Sequence, residues 1–319
     1  MRRTARAEST HRAEVPDNGH PRARKPLSLV AGAWRGRETA LGLRDGATKR
    51  PTVRRTSGTW SSCRDTLTGM KILAWNLNHR AAKRRIPTWI GTAIAEQAPD
   101  VVVLTEYVEG LDHASFLETL KVQGLGNYSL TSQPGGENQL LIVSRDAQRH
   151  CQLNAPDIHR SVMPNILEVS FGGGGVTILG FRMPAFEYKD RLLKRQTWDW
   201  LLTESDRLRD RPALLVGDFN TAPGDPKADC GDCLEELVGR GWQHARPATG
   251  YSWRHSQSGN KRLIDHIFLS ASLVPRRVEY LWEFERLAPP GASRKIGLPD
   301  HAMLVAEFDQ VPAPSRVAK

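Results

Sequence analysis

The 319-residue sequence lacks any apolar run of the roughly 18 residues that a membrane-spanning helix requires. The apolar core of a secretory signal peptide is also missing after both Met1 and Met70. From these absences we expect a soluble, cytoplasmic protein with no membrane span.

Cysteine is scarce, and four cysteines do not indicate a disulfide framework. Cys230 and Cys233 form a Cys-x-x-Cys pair, but no second pair completes the pattern of a structural zinc site. We expect both to be reduced thiols in a solvated loop.

The glycine run at 172–175 lacks the Lys-Ser/Thr of a phosphate-binding loop and predicts a hairpin turn. His244 is expected at the surface.

Acidic residues are few near the N-terminus, where residues 1–69 hold 15 Lys/Arg and 6 Asp/Glu. This leader accounts for +9 of the net charge of +10, so the remainder is almost neutral. It shows no periodicity and little apolar character, which predicts disorder. It could be a basic arm that binds nucleic acid, a transit peptide, or a stretch absent from the natural protein. The third interpretation is favoured because Met70 stands directly before an apolar strand.

The most informative motif is Gly217-Asp218-Phe219-Asn220, which follows an apolar run at 213–216. Such a run predicts a buried strand. Because side chains alternate along a strand, Asp218 and Asn220 are predicted to face one way and Phe219 the core. A carboxylate beside a carboxamide can hold a phosphate, a water or a divalent cation.

Four further predicted strands begin or end in acidic, amide or histidine side chains. Their types suit a hard cation, and their number in one chain indicates one composite site. These residues are Asn76 and Asn78, Glu106, Asp265, and the pair Asp300-His301.

Taken in order, these motifs resemble the endonuclease/exonuclease/phosphatase superfamily, which includes exonuclease III, DNase I and inositol polyphosphate phosphatases. The resemblance runs from about Lys71 to Phe308. Tyr251-Ser252-Trp253 adds to it, since a Ser-Trp commonly precedes the equivalent of Asp265 in this family. It implies a catalytic domain at 70–309, followed by a flexible tail at 310–319.

The expected fold is α/β, a four-layer α/β/β/α sandwich with two mixed β-sheets packed face to face. Apolar periodicity predicts helices that flank two groups of strands, which favours the same architecture. The longest predicted helix, 189–208, has a mostly apolar stripe of Leu192, Leu193, Gln196, Trp200, Leu201 and Leu208. The other predicted helices are 87–97, 112–122 and 233–239.

The resemblance implies a Mg²⁺ (or Mn²⁺) cofactor, which Glu106 would ligate with help from Asp300 and Asn76. Hard oxygen ligands of this kind suit Mg²⁺. Asp218 would orient or deprotonate the attacking water, and Asn220 would hold a phosphoryl oxygen.

The resemblance further implies that His301 contacts the scissile phosphate, while Asp265 accepts its other ring proton. The family usually has His or Tyr where this chain has Arg182, and some relatives have Asn where it has Ala185. Arginine is a good bidentate phosphate ligand, so Arg182 is interpreted as a transition-state clamp, against the alternative of a surface arginine.

Three residues are candidates for substrate binding: Asn78, Arg80 and Trp253. Arg80 begins a basic stretch at 80–85, which either attracts an anionic substrate or is only a solvated helix start. Trp253 lies where nucleases often carry an aromatic that stacks on a base or sugar.

The expected function is a metal-dependent hydrolase of phosphate esters, with a nuclease favoured and DNA or RNA as candidate substrates. One alternative is a phosphatase or phosphodiesterase acting on a small-molecule or lipid-headgroup phosphate. A second is an inactive binding module with the same fold. We expect a monomer.

Overall fold

A computed structural model describes residues 69–78, 86–132, 138–151, 153, 161–172, 175–185, 191–288, 290 and 298–311. The leader up to residue 68, the basic stretch from Arg80 to 85 and residues 312–319 of the tail lie outside the described residues. Among the helices that are described, none combines the length and apolarity needed to cross a bilayer.

Within these ranges the chain forms fourteen strands and four α-helices. The strands are β1 (Met70–Asn76), β2 (Val101–Tyr107), β3 (Asn127–Leu130), β4 (Gln139–Ser144), β5 (Gln148–Cys151), β6 (Ile166–Phe171), β7 (Thr177–Arg182), β8 (Ala213–Asp218), β9 (Gln243–His244), β10 (Trp253–Arg254), β11 (Lys261–Arg262), β12 (Asp265–Leu269), β13 (Leu273–Leu281) and β14 (Met303–Gln310). The helices are α1 (Thr88–Glu96), α2 (His113–Val122), α3 (Arg191–Leu208) and α4 (Gly231–Gly239).

Twelve of the strands build two six-stranded mixed sheets. Sheet 1 has the order β13-β14-β1-β2-β4-β3, and sheet 2 has the order β5-β6-β7-β8-β12-β9. Each sheet has one parallel pair near its centre, β1 with β2 and β7 with β8, and its other named pairs are antiparallel. A helix connects the two strands of each parallel pair, as a parallel connection requires.

Because side chains alternate along each strand, the apolar residues form three clusters: one between the two sheets and one between each sheet and its helices. Ile72 and Ala74 of β1 pack between the sheets, against residues such as Val216. Leu73 and Trp75 point the other way, towards α1 and α2. The outer face of sheet 2 packs in the same manner against α3 and α4. The layers are therefore helix, sheet, sheet and helix, which confirms the predicted four-layer sandwich.

The predicted helices are present, and most of the stripe predicted for α3 faces the core: Leu201 and Leu208 are buried, and Leu193 and Trp200 pack against it. The prediction was wrong for Leu192, which is exposed, and it missed Lys194 and Trp198, which are buried. Lys194 is inside because its Nζ donates to the main-chain oxygen of Asn220 at 2.6 Å. A buried polar partner thus admits a charged residue to the face that hydrophobicity alone would leave apolar.

Candidate active site

The predicted site residues meet at one edge of the two sheets. Asn76 and Glu106 lie at or near the carboxyl ends of β1 and β2, and Arg182 and Asp218 end β7 and β8. Carboxyl ends of parallel neighbours share an edge of the sheet. β12 is antiparallel to β8, so its first residue, Asp265, pairs directly with Asp218.

The remaining polar pair reaches the same edge from sheet 1. Asp300 and His301 precede β14, whose residue Leu304 pairs with Ala74 of the antiparallel β1. Trp75 Nε1 donates to the main-chain oxygen of His301 at 3.0 Å and so fixes the position of the Asp300-His301 segment.

Three of the site residues have left-handed backbone. Asn78, Glu106 and Asn220 have φ values of 50°, 52° and 46°. Glu106 also lies where the register between β2 and β4 shifts, between Leu104 and Tyr107. A bulge of this kind re-aims a side chain, and positive φ is costly for a glutamate. The fold thus maintains a locally unfavourable backbone that turns the Glu106 carboxylate into the site.

Hydrogen bonds between side chains join the two sheets at this edge. Each bond has one partner on a segment of sheet 1 and the other on a segment of sheet 2, and the groups are mostly or fully buried. The three bonds run from Asn76 Nδ2 to Asp218 Oδ2 (2.9 Å), from Arg182 Nε to Glu106 Oε1 (2.8 Å), and between His301 Nδ1 and Asp265 Oδ2 (2.8 Å).

Asp218 is at the centre of this cluster. Burial, together with the charge of Asp265, raises its pKa to about 6, although the charges of His301 and Arg182 act in the opposite direction. Asn220 donates to both of its oxygens, through the main-chain nitrogen at 2.9 Å and through Nδ2 at 3.0 Å. A carboxylate with a pKa near neutrality can accept a proton from a reacting water.

Burial has the opposite effect on His301, whose charged form is the protonated one. Burial lowers the pKa of its imidazole, but the charge and hydrogen bond of Asp265 outweigh this effect and raise the pKa to about 10, with smaller contributions from Asp218 and Asp300. His301 is therefore an imidazolium at neutral pH. Its Nδ1 donates to Asp265, which leaves Nε2–H as a donor for an anionic substrate.

The donor set fits a hard divalent cation. Four carboxylates face two cations in the described part of the site, a formal excess of two negative charges: Glu106, Asp218, Asp265 and Asp300 against Arg182 and His301. The buried Oδ1 of Asp300 has no hydrogen-bond partner. An orphaned carboxylate oxygen beside excess negative charge is the kind of position that a bound cation satisfies.

Two other features bear on the metal position. Asp218, Asp265 and His301 offer ligand atoms within 4.8 Å of one another, a spacing that a metal ion could bridge. The Nδ1 of His301 is already hydrogen-bonded to Asp265 Oδ2 at 2.8 Å, and the raised pKa of the imidazole favours its protonated form, which does not ligate a metal. Asn76 uses its amide nitrogen to donate to Glu106 at 3.2 Å, in addition to its bond to Asp218.

The segment around Trp253 shapes the site from outside the two sheets. Trp253 Nε1 donates to Asp300 Oδ2 at 3.1 Å, and its backbone forms a bridge with His301. Ser252 is fully buried, and its Oγ accepts the main-chain N–H groups of Ile264 (2.8 Å) and Asp265 (2.9 Å). This anchoring role of Ser252 was not predicted, although its place in a Ser-Trp pair was a visible signal.

Of the three predicted substrate-binding residues, two are described. Asn78 donates its main-chain N–H to Asn76 Oδ1 at 2.8 Å, so in this structure it orients another site residue. Trp253 is half-buried beside Asp300. Arg80 lies outside the described residues. The sequence did not indicate a role for Lys194, because a lysine on an amphipathic helix is normally exposed. In the structure its Nζ donates to the main-chain oxygen of Asn220.

Fold and site together define a phosphoesterase of the α/β/β/α type, and the comparison with protein families agrees. The model of the endonuclease/exonuclease/phosphatase family matches residues 73–293, and the chain belongs to this family. It is accordingly a hydrolase of phosphoester bonds, in a family whose members generally depend on a divalent metal. A search of curated proteins finds no significant match.

Solved structures with the same fold share little sequence with this chain. An endonuclease/exonuclease/phosphatase from Beutenbergia cavernae is 17% identical, with a TM-score of 0.58 over 77% of this chain and 73% of its own. The 3′ phosphatase NExo from Neisseria, bound to a product DNA hairpin, is 21% identical, with a TM-score of 0.56 over 75% and 99%. An AP endonuclease from Archaeoglobus fulgidus is 16% identical, with a TM-score of 0.57 over 74% and 98%.

Proposed function

We propose that this protein is a Mg²⁺- or Mn²⁺-dependent nuclease that hydrolyses phosphodiester bonds of DNA or RNA. The observation that carries the proposal is the buried cluster at the shared sheet edge, in which Asp218, with a pKa of about 6, lies next to the imidazolium of His301 and the guanidinium of Arg182. A base of suitable pKa and two phosphate-binding cations are what in-line attack by water on a phosphate ester requires.

Each residue has a defined part in this scheme. Asp218 accepts the proton of the attacking water, and Asn220 orients Asp218 and holds a phosphoryl oxygen. His301 donates from Nε2 to a phosphate oxygen, and Asp265 fixes its ring. Arg182 neutralises charge that develops on the phosphoryl oxygens.

Glu106 and Asp300 would hold the metal, with Asn76 completing the set of oxygen donors. When bound, a divalent cation supplies electrostatic stabilisation of the phosphoryl group and the leaving oxygen. The preference for nucleic acid over a small phosphate ester is supported by the two similar structures described as a 3′ phosphatase with a DNA hairpin and an AP endonuclease.

The test uses the full-length protein with plasmid DNA, single-stranded RNA and bis-p-nitrophenyl phosphate, each with and without Mg²⁺. We expect metal-dependent cleavage of a nucleic acid that disappears in Asp218→Ala. Asp210→Ala is the matched control, because the Asp210 side chain is 88% exposed. Turnover of the small ester alone would favour the small-molecule phosphoesterase, and no turnover with any metal would favour the inactive binding module.

The metal ligands have a separate test. Glu106→Gln should weaken Mn²⁺ binding measured by calorimetry and abolish activity, with an unchanged circular dichroism spectrum. Unchanged Mn²⁺ affinity in this variant would reject Glu106 as a ligand. Asp265→Asn should leave Mn²⁺ binding intact and lower the rate, because His301 loses the group that orients it.

A further inference from the structure

Cys230 and Cys233 lie at the start of α4, and both are buried. The expected solvated loop was therefore wrong. The main-chain nitrogen of Cys233 donates to the main-chain oxygen of Cys230 at 3.1 Å and closes a tight turn. The ends of a four-residue turn have Cα atoms closer than about 7 Å, within the range that a disulfide spans. The backbone is thus already suited to a bond between the two sulfurs.

The two thiols interact and differ in character. Cys230 is the N-cap of α4, where the positive end of the helix dipole favours a thiolate, whereas Cys233 lies in the first turn of the helix. The Cys233 side chain lowers the pKa of Cys230, although burial opposes it, and the Cys230 side chain together with burial raises the pKa of Cys233. We therefore assign Cys230 as the nucleophilic thiol and Cys233 as the thiol that resolves a mixed disulfide.

A cationic side chain completes the cluster. Arg195 Nη1 lies 3.0 Å from Cys233 Sγ, and its Nη2 donates to the main-chain oxygen of Lys227 at 2.6 Å and to Asp232 at 3.0 Å. The adjacent Lys194 also lowers the pKa of Cys230 by its charge. A guanidinium and an ammonium beside two sulfurs favour a thiolate, which is the reactive form.

A metal site explains this cluster less well. Among the described residues, the one group of three or more His, Cys, Asp or Glu with metal-ligand spacing is Asp218, Asp265 and His301, which contains neither cysteine. A structural zinc ion needs four ligands. The cysteine pair has two, and the neighbouring Asp232 carboxylate is paired with Arg195.

We propose that Cys230 and Cys233 form a dithiol–disulfide site that exchanges with low-molecular-weight disulfides. The Cys230 thiolate attacks one sulfur of the small disulfide, forms a mixed disulfide and releases one small thiolate. Cys233 then gives its proton to solvent, and its sulfur attacks the Cys230 sulfur and releases the second small thiolate. Two protein thiols are oxidised to one disulfide, and the small disulfide is reduced to two thiols.

Because both sulfurs are buried, a reagent reaches them when the segment before α4 opens. The 3₁₀ turn Lys227–Asp229 directly precedes Cys230, has no buried residue and is held by main-chain bonds. We therefore expect exchange that is slower than at a surface thiol but complete at equilibrium. This site is separate from the proposed phosphoesterase chemistry, and its test needs no substrate.

The test incubates the reduced full-length protein with oxidised glutathione, quenches it in acid, alkylates the remaining thiols in denaturant and measures intact mass. We expect the number of alkylated thiols to fall by two, and peptide mapping to find Cys230 linked to Cys233. Dithiothreitol should restore all four thiols of the sequence. Oxidation confined to Cys63 or Cys151, or no oxidation after equilibration, would overturn the proposal.

Variants assign the order of attack. Cys233→Ser should accumulate a stable glutathione adduct on Cys230, whereas Cys230→Ser should accumulate none at Cys233. Arg195→Met should slow oxidation roughly threefold or more, because the thiolate fraction falls. Arg209→Met is the matched control, since Arg209 pairs with Asp206 and not with a sulfur, and its rate should equal that of the wild type. Equal rates for both arginine variants would remove Arg195 from the site.

Discussion

Arg182 is the side chain whose position has the largest chemical consequence. Its Nε donates to Glu106 at 2.8 Å and lies 3.8 Å from Asp218. The guanidinium therefore pairs with the carboxylate that we propose as a metal ligand. If Glu106 ligates a metal, Arg182 would exchange Glu106 for a phosphate oxygen of the substrate.

This exchange of partners gives Arg182 two opposite effects that can be measured. Arg182→Met should lower kcat about 10²- to 10³-fold, since a donor to the transition state is lost. The same variant should bind Mn²⁺ more tightly in calorimetry, since a competing cation leaves Glu106. Arg209→Met should change neither quantity. A variant that lost both activity and Mn²⁺ affinity would indicate a purely structural role instead.

The sequence could indicate which residues lie together at the shared sheet edge, because each motif is local to one strand end. The backbone conformations of these residues could not be predicted. Glu106 follows four apolar residues and Thr105 and resembles an ordinary strand residue, yet the bulge gives it a φ of 52°. That conformation results from the pairing of β2 with β4, which has no local signature in the sequence.

Strand β8 approaches β7 unusually closely at Gly217. A Cβ added there would lie 1.9 Å from the main-chain oxygen of Phe181, and the φ of 145° is rare for residues with a side chain. Gly217→Ala should therefore destabilise the protein by roughly 2–4 kcal/mol in urea unfolding, since strands next to the site must separate. Gly239→Ala, where a Cβ meets no atom within 4 Å, is the control and should be near neutral.

The edge strand β9 joins sheet 2 through two histidines. His244 is half-buried, so its expected surface position was wrong; it stacks on Phe268 with a centroid separation of 4.2 Å. His266 Nε2 donates to the main-chain oxygen of Thr221 at 2.8 Å, so its Nδ1 accepts from His244 Nε2 at 3.0 Å. This chain of bonds requires His266 to be neutral, because its Nδ1 accepts a hydrogen bond, and burial favours the neutral form of His244 as well. The sequence could not reveal it, because it depends on which strands pair.

The histidine pair makes stability depend on pH. Burial lowers the pKa of His266 to about 4 and that of His244 to about 2; Arg246 acts in the same direction on both, and Asp265 opposes it at His266. The unfolded chain takes up protons below about 6.5 while the folded chain does not. The free energy of unfolding should therefore fall as pH drops from 6.5 towards 4, by about 2 kcal/mol at pH 5 for His266. His244→Leu should flatten this slope in urea titrations, and His150→Gln, at an exposed position, should not.

Most of the net charge of the whole chain belongs to its first 69 residues. Residues 1–69 carry a net +9, while the part that contains both sheets is almost neutral. If the leader is a basic arm, it would bind nucleic acid through its charge, whereas every described site residue lies after residue 70.

Removal of residues 1–69 separates these contributions. Turnover of bis-p-nitrophenyl phosphate should be unchanged, because every described site residue lies after residue 70. Affinity for DNA at low salt should fall, and the slope of log K against log salt should become shallower by on the order of 5, as fewer counterions are released. Identical salt slopes for the two forms would show that the leader does not contact nucleic acid and would leave the other two interpretations.

The three hydrogen bonds that join the sheets at the site have a consequence for folding. Each sheet alone would carry an incomplete set of charges at this edge, and the partners come together when the two apolar faces dock. The partners of these bonds are far apart in sequence, so the cluster forms only when the sheets have docked, and the apolar layer beneath it supplies the driving force. We therefore expect catalytic activity to report on the docking of the two sheets and to be lost in any state in which they are separated.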